Sequence, residues 1–104
     1  IGHNELAALR TAANSIVETT RQLTESSREI DLEKGHCADN PRLRRAAYLD
    51  DIDPVFWDIC KDSIIPDIAA DLLGPNVRFR DLMLNFKWAG GGAAAKWHQD
   101  IAFY

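Results

Sequence analysis

Two residues near the end of the chain have the types and the spacing to hold a metal. His98 and Asp100 stand two apart in Trp97-His98-Gln99-Asp100-Ile101-Ala102-Phe103-Tyr104. Aromatic and β-branched residues are frequent there, so the stretch is predicted to be a strand. Side chains alternate between the faces of a strand, so residues two apart share a face. An imidazole and a carboxylate placed this way supply two ligands of a 2-His-1-carboxylate triad. Such a triad leaves positions open on a non-haem Fe(II) for a cosubstrate and oxygen. The third ligand is a second His, and no His follows Asp100 in the 104 residues. His3 and His36 remain, and nothing in the sequence places either beside His98. A His-x-Asp pair that only hydrogen-bonds on a polar sheet face has the same spacing.

The pair needs elements to position it. Leu82, Leu84, Phe86 and Trp88 alternate with Met83, Asn85 and Lys87, which predicts a strand over 82–88 with one apolar face and one mixed face. Val77 and Phe79 alternate with Arg78 and Arg80 in the opposite phase, so a bulge or short break is expected near Arg80-Asp81. Between the strands, Ala89-Gly90-Gly91-Gly92-Ala93-Ala94-Ala95 reads as a flexible connection at the mouth of a site or as a plain loop. It is not a phosphate loop, because it lacks the Gly-Lys-Ser/Thr ending and no helix follows.

Upstream the period is helical. Leu6, Leu9, Ala13, Ile16, Val17, Thr20 and Leu23 predict an amphipathic helix over about 5–24, with Asn4 as its cap and Glu5 in the first turn. Residues 26–41 are polar and turn-rich and read as a loop. His36-Cys37 lies there, but no second pair gives zinc-site spacing, so an ordinary loop His and an unpaired thiol are expected. Residues 42–53 read as either helical or extended. Asp53-Pro54 starts a helix, Pro66 is expected to kink or restart it, and Gly74-Pro75 stops it. The organisation is α+β, helical over about 1–75 and β over about 76–104.

Composition sets bounds. A chain of 104 residues with 46% apolar and 27% charged residues is a soluble globular type with room for one small core. Its net charge of −4 argues against nucleic acid as the main partner, since phosphate binding needs clustered Lys and Arg. No apolar run approaches the ~20 residues of a membrane span, and no signal peptide is visible. Cys37 and Cys60 have neither CxxC spacing nor scaffold density, so a reducing, cytoplasmic setting is the expectation. Ile1 at the start and Tyr104 inside an expected strand lead us to expect a piece of a larger protein.

Met83-Leu84-Asn85-Phe86-Lys87, the Gly-rich connection, and Trp97-His98-Gln99-Asp100 with its aromatic continuation resemble the phytanoyl-CoA dioxygenase family. Leu72-Leu73-Gly74-Pro75 is similar to that family's helix end before its first core strands. The resemblance covers about residues 42–104. It implies a double-stranded β-helix, or jelly roll, of which 1–104 would be a single partial domain: outer helices, then the first strands. It also implies dependence on Fe(II) and 2-oxoglutarate, with His98 and Asp100 as iron ligands and Met83 and Gln99 lining the 2-oxoglutarate site. Alternation sends Gln99 to the face opposite His98, so its contact would run through backbone or a local twist. A basic residue upstream touches the cosubstrate in some members. Arg45 is the nearest candidate, although no motif anchors it. The second His and the Arg that grips 2-oxoglutarate lie further downstream in the family.

The expected function is hydroxylation of a small organic substrate with O2, without nucleic acid or membrane as a partner. A truncated family member acting as a binding or interaction module is the alternative. A His–Asp hydrolase ranks last, because no Ser or Cys stands in a nucleophile motif.

Overall fold

The structure, a computed structural model, describes residues 1–92 and 94–100. Helix α1 (His3–Thr20) opens the chain. Strands β1 (Ile30–Leu32) and β2 (Leu43–Ala47) follow. Three helices come next: α2 (Leu49–Ile52), α3 (Pro54–Asp62) and α4 (Ile64–Leu73). Strand β3 (Met83–Asn85) comes last among the described elements.

Helix α1 buries Ile16, Val17 and Thr20 of the predicted face, together with Ala12, whereas Leu6 and Leu23 are exposed. Its cap is Gly2 rather than Asn4, because the Glu5 carboxylate reaches back to accept from the Gly2 N–H. The helix stops at Thr20, whose hydroxyl donates to the Val17 carbonyl at 2.8 Å. Arg21 donates to the Ala38 carbonyl at 2.6 Å, tying the helix end to the following loop.

That loop holds a strand the polar composition hid. Ser27 Oγ accepts from Ile30 N at 3.1 Å and Ser26 Oγ from Leu32 N at 2.9 Å, so two serines satisfy backbone donors on the edge of β1. β1 pairs antiparallel with β2, and β2 with β3, giving the order β1-β2-β3. Ile30, Ala46 and Leu84 lie in register across the three strands and turn toward the helices. Leu43, Leu49, Phe56 and the buried residues of α1 complete the core. Residues 42–53 thus resolve into a strand and a short helix, joined by Tyr48 in a left-handed conformation, φ 55°. Arg28 braces Tyr48, with its guanidinium 4.7 Å from the ring centroid and a 2.9 Å hydrogen bond to the phenol oxygen.

Asp53 caps α3 as expected, accepting from Val55 N at 3.0 Å with Pro54 in the first turn. The break expected at Pro66 falls three residues earlier. Ser63 donates to Ile59 O at 2.6 Å and accepts from Ile65 N at 3.1 Å, ending one helix and capping the next. Pro66 then lies in the first turn of α4, where its missing N–H would have had no helical partner. Gly74 ends α4 with φ 96°.

The β region is smaller than predicted. Residues 77–80 form no strand; Phe79 instead meets the Trp57 ring edge-on at 5.3 Å between centroids. The strand predicted over 82–88 is regular only at Met83–Asn85, though Leu82, Leu84, Phe86 and Trp88 do pack on the core as the apolar face. Residues 97–100 are a bend and a short turn, not a strand. A strand needs a neighbour for its N–H and C=O groups, and among the described residues none is paired with this segment. Residues 101–104, the rest of that predicted strand, lie outside the described residues. What stands is a mixed helix-and-sheet fold.

Candidate metal centre

His98 and Asp100 meet without a strand to align them. His98 Nε2 lies 3.2 Å from Asp100 Oδ1. On its other side His98 Nδ1 donates to the Lys96 carbonyl at 2.6 Å. That bond puts a proton on Nδ1 and leaves Nε2 toward the carboxylate. Two lone-pair-bearing atoms at this distance need a cation between them, either a proton or a metal. The donor set fits a metal. Metal-bound His characteristically gives its other N–H to a backbone carbonyl or carboxylate. Ligands at about 2.1 Å in cis octahedral positions lie about 3.0 Å apart, close to the 3.2 Å found here. Both side chains are open to solvent, with Asp100 78% exposed. Among the described residues no third His, Cys, Asp or Glu joins the pair.

Met83 and Gln99 lie on different parts of the chain's structure, one in a strand and one in irregular backbone. Met83 is half-buried on β3, in register with Ala47. Gln99 sits exposed between the two candidate ligands. The face of β3 that carries Met83 and Asn85 gains a neighbour the sequence only hinted at. Arg45 pairs with Asn85 across the ladder, so Arg45, Met83 and Asn85 occupy the sheet face turned away from the helices. Arg45 Nε is buried and has no hydrogen-bond partner among the described residues. A buried guanidinium donor left unsatisfied is costly unless an acceptor is supplied. An anionic cosubstrate carboxylate is such an acceptor. No alternation marks it, since Leu43-Arg44-Arg45-Ala46-Ala47 buries positions 43, 46 and 47; only the register with Asn85 places Arg45.

His36-Cys37 is not a metal pair. His36 Nδ1 accepts from Arg42 N at 2.8 Å, which requires the Nε2–H form that donates to Thr20 O at 3.0 Å. Both ring nitrogens are engaged in fastening the hairpin to α1. Cys37 and Cys60 are free thiols. Burial and the charge of Asp50 push the Cys60 thiol above its ordinary value.

The family model for phytanoyl-CoA dioxygenase matches residues 1–104. The chain belongs to the phytanoyl-CoA dioxygenase family. The match takes in the first helix and hairpin as well as the region from residue 42 onward. The chain is also similar to the "Probable alpha-ketoglutarate-dependent hypophosphite dioxygenase" of Stutzerimonas stutzeri, at 38% identity over 66 residues. That alignment covers 64% of this chain and 20% of the relative, so the matched part is about a fifth of that protein's length. No solved structure matches the chain. No helix among the described residues is long and apolar enough to cross a membrane.

Proposed function

We propose that these residues are the helical and first-strand part of one domain of a non-haem Fe(II)- and 2-oxoglutarate-dependent dioxygenase that hydroxylates a small organic substrate. On this reading the three-stranded sheet begins a double-stranded β-helix, with α1 and α3 on its outer face and the site on the other. The observation that carries the proposal is the His98–Asp100 geometry: a 3.2 Å bite with the distal ring nitrogen held by a backbone carbonyl. His98 and Asp100 would hold the iron together with a further His. Bound iron with 2-oxoglutarate supplies the oxidising power, O2 being consumed and the cosubstrate leaving as succinate and CO2.

The remaining work belongs to the chain's own side chains. The Lys96 carbonyl fixes the His98 tautomer and aims Nε2. Met83 gives an apolar wall and Gln99 a polar one to the cosubstrate site. Arg45, with its unsatisfied Nε, supplies a donor to a carboxylate on the same face. The partners are a small molecule and O2, and the two free thiols support a reducing, cytoplasmic setting. Hypophosphite, in the name of the relative, is one small molecule to assay.

The test is made on the full-length protein. His98→Ala and Asp100→Ala should each abolish 2-oxoglutarate-dependent succinate formation and weaken Fe(II) binding. Succinate formed at the wild-type rate in either variant removes the assignment.

A further inference from the structure

An open cleft of about 430 Å3 lies between the β1–β2 hairpin and the glycine-rich segment. That volume is in the range of small-molecule sites. Lys34, Arg42 and Arg44 line it with Asp31 and Glu33, and Gly91 and Gly92 form its far wall. Three cations face two carboxylates here, in a chain whose net charge is −4. Arg44 is spoken for, since its Nη1 lies 2.7 Å from Asp31 Oδ2. Among the described residues, neither Arg42 nor Lys34 makes a side-chain hydrogen bond or ion pair.

Arg42 is held ready. Its N–H donates to His36 Nδ1 at 2.8 Å and its carbonyl accepts from Glu33 N at 2.7 Å, so its backbone is fixed on both sides. Its guanidinium lies against Gly91, where an added Cβ would stand 2.5 Å from Nη1. Only a residue without a side chain leaves the fork in that position. A guanidinium on an anchored backbone, in a cleft that Lys34 also lines, suits an oxyanion, which the planar fork can take in bidentate fashion.

We propose that this cleft binds the oxyanion group, carboxylate or phosphorus-centred, of a small anionic substrate through Arg42 and Lys34. The surplus of one positive charge favours a monoanion. Gly91 and Gly92 lie on the segment that leads to His98, so the occupied cleft holds that segment against the hairpin. Binding of the anion stands by itself; its role as the substrate's anchor rests on the dioxygenase reading.

The experiment is titration of the full-length protein with inorganic phosphate and, separately, acetate, followed by calorimetry and by the amide resonances of Gly91 and Gly92. The expected result is saturable one-to-one binding of at least one anion, weakened ~10-fold or more by Arg42→Ala. Gly91→Ala, which keeps every charge but displaces the guanidinium, should weaken it similarly and guards against a folding defect in the first variant. His98→Ala should leave it unchanged. No binding of either anion, or equal binding by both cleft variants, overturns the proposal, as does binding that is lost in His98→Ala. Anion binding that survives while succinate formation is never seen leaves the cleft standing and removes the dioxygenase reading instead.

Discussion

Helices α1 and α4 invert the usual expectation. α4 is much the more apolar, with Ile64, Ile65, Ile68, Leu72 and Leu73 in ten residues, yet it buries none of them. α1 carries charges along its length and buries four residues, with Ile16 only 4% exposed. The difference lies in what each helix meets. α1 lies across β2 and α3, which offer a complementary apolar surface. α4 meets chiefly α3, across the break at Ser63, and its apolar stripe has no surface opposite it among the described residues. Burial follows from a partner surface, not from the apolar content of the helix itself.

Substitutions at matched positions test this contrast most strongly. Ile16→Ala should cost about 2–5 kcal/mol, read as a lower urea midpoint with an unchanged slope. Leu72→Ala, at a side chain 78% exposed, should stay within ~0.5 kcal/mol. A Leu72→Ala loss as large as that of Ile16→Ala would break the comparison, because it would mean that α4 is covered in the protein. A smaller effect sharpens it. Ser63→Ala removes the cap of α4 and should cost ~1 kcal/mol, with helicity lost locally by amide exchange and α1 unaffected.

The smallest effect is electrostatic. The Arg21 guanidinium hydrogen-bonds Glu18 and holds its carboxyl below the usual value. A lowered folded value stabilises above the ordinary carboxylate range, and that contribution fades as pH falls through the lowered value. The pair lies at the surface, with the Glu18 side chain 62% exposed, so Glu18→Gln should only slightly flatten the acid limb of a stability-versus-pH curve.

The features written in short local signals were legible in the sequence: the α1 stripe, the Asp53-Pro54 start and the Gly74 stop. Those that depend on distant partners were not. β1 is a three-residue Ile-Asp-Leu alternation inside a polar stretch, and only pairing with β2 makes it a strand. Residues 77–80 have strand composition, but Phe79 is claimed by Trp57 instead. In the candidate site, the strand expected to align His98 and Asp100 does not form, yet the two side chains lie within 3.2 Å of each other. Irregular backbone after the bend at Trp97, with the Lys96 carbonyl bonded to the ring, brings them together rather than a strand face. The placement of Arg45 beside Asn85 follows only from the pairing of β2 with β3, which no local signal gives.

Trp88 makes the approach to this site visible to light. Its indole N–H donates to the Leu43 carbonyl at 2.8 Å and its ring stacks on Phe86, whereas Trp97 is fully exposed and Trp57 is 41% exposed. With Trp57 and Trp97 replaced by Phe, the remaining emission comes from a half-buried, hydrogen-bonded indole at the root of the glycine-rich segment. Its colour and its quenching by iodide would then report, in real time and without a metal, whether the strand end that leads to His98 is seated on the sheet or has lifted away.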